Sequence, residues 1–285
     1  MKTVNAAVVQ AGSVPFDTPQ CLEKALEFLE AAAALGAELV VFPEAFLSGY
    51  PKGADFGARI GMRSPEGRAL FRRYYECAID VPGPATDRLA EACRDRAVNL
   101  VIGVIERGGG TLYCTALFFD SEGVLRGKHR KVMPTAMERL IWGFGDASTL
   151  DVHPLPVGRV GAAICWENYM PLLRAHLYNQ GVELYCAPTV DDRDSWIPTL
   201  RHIAFEGRCF VLSACQYLRD AGGAALIRGG SVIVNPFGEM LAGPNYSGEC
   251  VLSAELDLGQ IAEGKFDLDV AGHYARPDIF KLTVG

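Results

Sequence analysis

Short apolar runs alternate with amphipathic helical patterns along almost the whole chain, and this alternation restricts the fold more than any other feature. Residues 3–10 have strand character. Residues 18–35 then place Leu22, Ala25, Leu26, Leu29 and Ala32 at helical spacing, with Gly36 positioned as a stop. Residues 38–42 supply the next strand, so the chain opens as a βαβ unit. A second amphipathic helix is predicted over 84–96, leading into a strand over 99–106. The turn clusters Gly108-Gly109-Gly110 and Asp120-Ser121-Glu122-Gly123 join that strand to strands over 111–120 and 124–128 as hairpins. The rhythm then repeats: strand 159–164, helix 171–180, strand 183–188, helix 196–206, strand 208–214, and closing strands over 230–235, 240–242 and 249–256. Helices alternating with strands, with hairpins between, predict a layered α/β architecture on mixed sheets. No low-complexity linker interrupts it, and 285 residues with 49% hydrophobic content suit a single domain spanning 1–285. The glycine-rich and charged stretch 50–73 has the weakest periodicity and is predicted to be a loop near the functional site.

A formal net charge of -7 leaves no excess of basic residues to neutralise phosphates, which argues against nucleic acid as a partner. The first ten residues are broken by Asn5 and Gln10 before a signal h-region could form, and no apolar run is long enough for a bilayer. The expectation is a cytoplasmic protein acting on small molecules. Nine cysteines are scattered without a CxxC pair, which predicts reduced thiols rather than a disulfide framework. His153, His176, His202 and His273 show no ligand spacing with cysteine or with each other, so no metal site is expected.

Three segments each end an extended stretch on a reactive group. Gly161-Ala162-Ala163-Ile164 delivers Cys165 into the polar turn Trp166-Glu167-Asn168, whereas Cys114, Cys186 and Cys209 lie inside apolar runs as small core hydrophobes. Leu39-Val40-Val41-Phe42-Pro43 ends on Glu44, and Gly127-Lys128-His129-Arg130 ends on Lys131. A cysteine attacks an electrophilic carbon as thiolate, so it needs a base or a positive neighbour. Glu44, flanked by apolar residues, is predicted to be partly buried, which raises a carboxyl pKa toward the range useful for taking a thiol proton. Lys131 could pair with it and stabilise charge developing on substrate. The bland alternatives are a core thiol, a solvated turn carboxylate and a solvated basic face. In an extended strand His129 and Lys131 share one side, so His129 is a rival base in a Cys/His dyad. Glu138, beyond Pro134, could equally be an exposed turn carboxylate paired with Arg139.

Phe42-Pro43-Glu44, His129-Arg130-Lys131-Val132-Met133-Pro134-Thr135 and Cys165-Trp166-Glu167-Asn168 resemble, in order, the three signature segments of the nitrilase superfamily of carbon-nitrogen hydrolases. Cys-Trp-Glu-Asn is similar to the nitrilase branch, and the resemblance to plant-type nitrilases and bacterial relatives extends through Gly49-Tyr50-Pro51, residues 141–146, residues 182–189 and residues 272–278. It implies a four-layer α-β-β-α sandwich, with Glu44 as general base, Lys131 as stabilising cation, Cys165 as nucleophile and Glu138 as a second glutamate positioning water or the lysine. His129 then becomes a supporting residue. Tyr50, Trp142, Trp166 and Thr189 are implied at or near the substrate pocket, with core packing the alternative for the two tryptophans. The implied activity is hydrolysis of an organic nitrile to carboxylic acid and ammonia through a cysteine thioimidate and acyl-enzyme, with no metal or organic cofactor. Amide release is a possible side reaction. An amidase or carbamoylase of the same superfamily is the alternative activity, and a non-catalytic scaffold is a third reading. Residues 215–223 run directly into 227–230 where plant-type members carry a longer insertion, and the chain stops at Gly285 where many carry a tail. Both regions contribute to spiral assembly in the family, so a homodimer or higher homo-oligomer is expected rather than a long filament.

Overall fold

The computed structural model describes residues 2–285. In chain order the first half contains β1 (Thr3–Gln10), α1 (Thr18–Ala34), β2 (Leu39–Val41), α2 (Pro65–Cys77), α3 (Pro84–Arg96), β3 (Asn99–Gly108), β4 (Thr111–Phe119) and β5 (Leu125–Arg130). The second contains β6 (His153–Leu155), β7 (Gly158–Ala162), α4 (Pro171–Asn179), β8 (Leu184–Cys186), α5 (Trp196–Gly207) and β9 (Phe210–Ser213). It continues through β10 (Tyr217–Arg219), β11 (Ala225–Arg228), β12 (Ser231–Val234), β13 (Met240–Asn245), β14 (Cys250–Asp257) and α6 (Gly259–Asp267).

The strands form two six-stranded sheets, ordered β14-β1-β2-β3-β4-β5 and β13-β12-β9-β8-β7-β6, and the small hairpin β10-β11. Each large sheet has three parallel central strands with antiparallel strands outside them. The two halves are tied by β14, which crosses back to pair with β1 from Thr3↔Asp257 to Gln10↔Cys250.

Strand alternation decides the layers. On β1, Val4, Ala6 and Val8 join Val160, Ala162, Leu184 and Leu212 in a core between the sheets, whereas Ala7 and Val9 face Leu22, Ala25 and Leu29 of α1. On the second sheet Tyr185, Val211 and Val232 pack against Leu173, Leu177, Leu200 and Ile203 of α4 and α5. Two sheets face each other and helices cover both outer faces, which is the expected α-β-β-α sandwich. Because the central strands are buried on both faces, they are continuous apolar runs rather than alternating ones.

The expected loop over 50–73 is corrected in its second part, where α2 begins at Pro65. Ser64 caps it by accepting from the Gly67 N–H, and Pro65 occupies a first-turn position. Gly67 and Tyr74 are its buried residues, and Leu70, Phe71 and Tyr75 pack half-buried beside Tyr74, so the helix carries its apolar face in its second half.

Candidate active site

Beyond β2 the chain continues as Phe42-Pro43-Glu44, with Phe42 N–H still bonded to Val101 O at 2.8 Å. Ala45 then turns it sharply in the left-handed region, at φ 49°. The turn can press against β3 only because residue 103 is glycine: a Cβ there would meet Pro43 O at 2.3 Å and Glu44 Cα at 2.7 Å. Phe46 and Leu47 N–H both donate to Gly103 O, and Gln216 Nε2 donates to Glu44 O at 2.8 Å. The backbone that carries Glu44 is therefore fixed by β3 and by Gln216.

The basic run does not form a solvated face. Along β5 the side chains alternate: His129 is buried, while Lys128 and Arg130 reach over β4 to pair with Glu106 on β3. Lys131 follows, its N–H bonded to Cys114 O at 2.8 Å and its side chain buried. Its ammonium lies 2.5 Å from Glu44 Oε1 and 2.9 Å from Glu138 Oε2. Glu138 sits on the 3-10 turn Ala136–Leu140, where Oε2 also accepts from Thr135 N–H and Oε1 accepts from the Tyr50 hydroxyl at 2.7 Å. It is not paired with Arg139, whose Nε donates to Ala136 O.

Cys165 opens the 3-10 turn Cys165–Tyr169 just past β7, with φ 52°. That conformation is strained for a residue with a Cβ, and such strain persists where the surroundings hold it. Here Cys165 N–H donates to Pro188 O at 2.9 Å and Asn168 Nδ2 donates to Cys165 O at 2.8 Å. Trp166 N–H lies in the first turn, where donors have no partner within the helix.

Glu167 is the joint of the site. Its buried carboxylate accepts from Ile164 N–H at 2.7 Å, from Val132 N–H at 2.6 Å and from His129 Nε2–H at 2.8 Å. Residues 164 and 132 adjoin Cys165 and Lys131, so one carboxylate holds both strand ends in register. His129 Nδ1–H donates to Thr149 O at 3.2 Å, leaving neither ring nitrogen free. Burial pulls the His129 pKa down, but Glu167 and Thr149 outweigh it and raise it above the ordinary histidine value. Both ring nitrogens are thus committed to Glu167 and Thr149 rather than to the Cys165 thiol.

The electrostatics divide the groups by role. Burial raises the Glu44 carboxyl from 4.5 to about 7, against the lowering effect of Lys131. Burial also opposes the charge on Lys131, yet Glu44, Cys165 and Glu138 together hold it well above the ordinary lysine range. Burial pushes the Cys165 thiol up, reinforced by Glu44 and countered by Lys131 and the Thr189 hydroxyl. The resting state is thus a neutral thiol beside a fixed ammonium and a carboxyl that titrates near neutrality. Glu44 Oε1 is engaged by Lys131 and, at 3.6 Å, by the Cys114 thiol; Oε2 is buried with no partner among the described residues.

Of the implied pocket residues, Tyr50 and the buried Trp142 meet edge to face at 5.8 Å, with the Lys131 ammonium 5.6 Å over the Trp142 ring. Thr189 is buried against the thiol. Trp166 is 40% exposed, bonded to Asp191 and covered by the Arg193 guanidinium, so it stands at the rim. Sequence reasoning left out the supports Glu167, Gly103, Gln216 and Cys114. Only Glu167 carried a signal, as the polar neighbour of Cys165; the others meet the site through folding alone. Among the described residues no three His, Cys, Asp or Glu side chains gather as metal ligands.

The sequence model of the family described as carbon-nitrogen hydrolase matches residues 5–266. The chain belongs to the carbon-nitrogen hydrolase family. Among relatives of this hydrolase, an aliphatic nitrilase of Sinorhizobium fredii (strain HH103) is 57% identical, with 100% of this chain and 96% of that protein covered. A bifunctional nitrilase/nitrile hydratase of Nicotiana tabacum is 56% identical over 99% of this chain and 86% of that one. In structure the hydrolase resembles a branch 10 nitrilase superfamily member of Saccharomyces cerevisiae, with a TM-score of 0.78 at 24% identity, covering 96% of this chain and 97% of that chain. An amidase of Nesterenkonia sp. follows at a TM-score of 0.69 and 22% identity, covering 91% and 92%. At these identities the two structures speak for the fold alone.

Proposed function

We infer that this single-domain protein is a nitrilase, hydrolysing an organic nitrile to a carboxylic acid and ammonia through a covalent intermediate on Cys165. The observation that carries the chemistry is the partnerless, buried Glu44 Oε2 beside a buried neutral thiol, with the other oxygen held by an ammonium. The names of the relatives favour a nitrile over an amide as electrophile.

Glu44 takes the Cys165 proton as the sulfur adds to the nitrile carbon, and the nitrogen anion that forms is met by the Lys131 ammonium and the Trp166 N–H. Protonation of that nitrogen by Glu44 gives the thioimidate. Water, deprotonated by Glu44 with Glu138 holding Lys131 in place, adds to the same carbon. Glu44 returns that proton to the nitrogen, and as the C–N bond breaks the remaining hydroxyl proton passes through Glu44 to the leaving amine, so that ammonia departs and a thioester remains; a second water hydrolyses the thioester and restores the thiol. Expulsion of the thiol in place of ammonia releases amide. Lys131 stays protonated between two carboxylates, which suits it to stabilise charge rather than to act as the base.

Incubation with aliphatic, aryl and arylaliphatic nitriles and with the matching amides, quantifying acid, amide and ammonia separately, tests the reading. Acid and ammonia from nitriles are expected; turnover of amides alone would replace nitrilase by amidase. The reading carries with it a cytoplasmic homodimer or higher homo-oligomer, which light scattering and fractionation measure.

A further inference from the structure

Among the cysteines inside apolar runs, Cys114 differs by what its sulfur reaches. Cys186 on β8 feels burial alone. Cys114 on β4 stands in the core between the sheets with Leu112, Ala116 and Phe118 of the same strand, yet its thiol donates to Glu44 Oε1 at 3.6 Å. Its backbone holds the cation: Cys114 O accepts the Lys131 N–H at 2.8 Å. β4 lies between β3, against which the Glu44 turn presses, and β5, beyond whose end Lys131 follows. One residue thus touches both the carboxylate and the segment that carries the ammonium. Burial, with Glu44 beside it, raises the Cys114 thiol well above its ordinary range, so it stays an S–H donor and does not give up its proton to Glu44. The other groups that bear on Glu44 are Lys131, Glu138 and Cys165. Tyr50, Tyr74 and Cys215 stand near it as well, and burial keeps each of them neutral.

Resting on the reading of Glu44 as the base of a nitrilase, we propose that Cys114 is a positioning residue: its S–H and the Lys131 ammonium together hold Oε1, which leaves Oε2 as the oxygen that takes the Cys165 proton. The last torsion of a glutamate is broad, so a single contact sets the carboxylate plane loosely and a second donor narrows it. A thiol suits the place because it is a weak donor. A strong donor would stabilise the carboxylate and weaken it as a base, whereas without any donor the proton would stay on it to higher pH. Cys114 therefore bears both on which oxygen works and on the pH at which it does.

The test records kcat/KM for pentanenitrile against pH in the unmodified protein, in Cys114→Ala and in Cys114→Ser, with Cys114→Val as a second donorless variant that fills the volume. The first two substitutions shed nearly the same volume, so a packing effect appears in both and a donor effect in one. In the donorless variants the acid limb is expected to move up by about half to one pH unit, a loss of about three- to tenfold in kcat/KM below it, and Cys114→Ser is expected to restore the limb. The pH dependence of Cys165 alkylation by iodoacetamide, followed by mass spectrometry, reads the same limb without a nitrile. Unmoved limbs in every variant, with pentanenitrile still hydrolysed, overturn the positioning role and leave the nitrilase reading standing. An equal displacement in Cys114→Ala and Cys114→Ser also overturns it, by assigning the shift to packing. An alkylation limb displaced in the donorless variants and restored in Cys114→Ser, in a protein that turns over no nitrile, supports the positioning role and overturns the nitrilase reading.

Discussion

In the proposed mechanism the chemistry rests on one carboxyl, Glu44, raised toward neutrality by burial. A base must be ionised to accept a proton, so kcat/KM for a nitrile should rise with pH through about 7, the value to which burial lifts Glu44. Stability carries the opposite slope. With a folded pKa of about 7 against 4.5 for the solvent-exposed carboxyl of the unfolded chain, the folded state between these values holds a proton that the unfolded chain has released. That contribution is fully present below 4.5 and is lost as pH rises through about 7. Glu44→Gln should lower turnover by about 10²- to 10⁴-fold and remove this slope from thermal melts recorded across the window. Full activity in the variant, or an unaltered melt profile, would exclude the assignment. Glu44, Lys131 and Cys165, which the structure gathers at one place, stood out in the sequence as reactive groups at the ends of extended stretches, an arrangement with a restricted set of explanations. Gly103 and Gln216 were not, since each meets Glu44 across more than fifty residues of chain.

At the scale of elements, the site depends on how strand ends are held. Glu167 joins the ends of β5 and β7 through Val132 and Ile164 N–H. Glu167→Ala leaves those donors and the His129 ring without their partner in the interior, and should lower stability by about 3–5 kcal/mol in denaturant melts. Glu167→Gln keeps the volume but turns an amide donor toward donors; kcat should fall more than KM changes, because the nucleophile shifts while the pocket remains. Equal loss in both parameters would argue for a merely structural part. Gly103→Ala presses a methyl into the Pro43-Glu44 turn, and should reduce activity about as strongly as Glu44→Gln with the sheet still folded by circular dichroism. The strand and helix pattern was readable to within a few residues for most of the chain, since period and turn chemistry agree locally. Helix α2 escaped because its cap and first turn lie in a stretch dominated by glycine and charge, and its apolar face, Leu70, Phe71, Tyr74 and Tyr75, begins only in its second half.

The whole molecule places three strand ends from two sheets around one buried point, which a sequence pattern can suggest but not position. Between the sheets, Phe118 packs 4.4 Å from the His153 ring, so Phe118→Ala should cost about 3–5 kcal/mol in denaturant melts as a core cavity opens. A change near zero would mean that the sheets do not share this core. The layered architecture was legible because doubly buried strands alternate with amphipathic helices, whereas the return of β14 to β1 depends on pairing across the length of the chain. The central claim is that Cys165, activated in this enclosure, is the atom that attacks a nitrile. Rapid acid quench during nitrile turnover, followed by mass spectrometry of the peptide containing Cys165, tests it most directly. The account predicts a thioimidate or acyl adduct on that cysteine and no turnover in Cys165→Ser; turnover persisting in the variant, with no adduct on Cys165 of the unmodified protein, would contradict it.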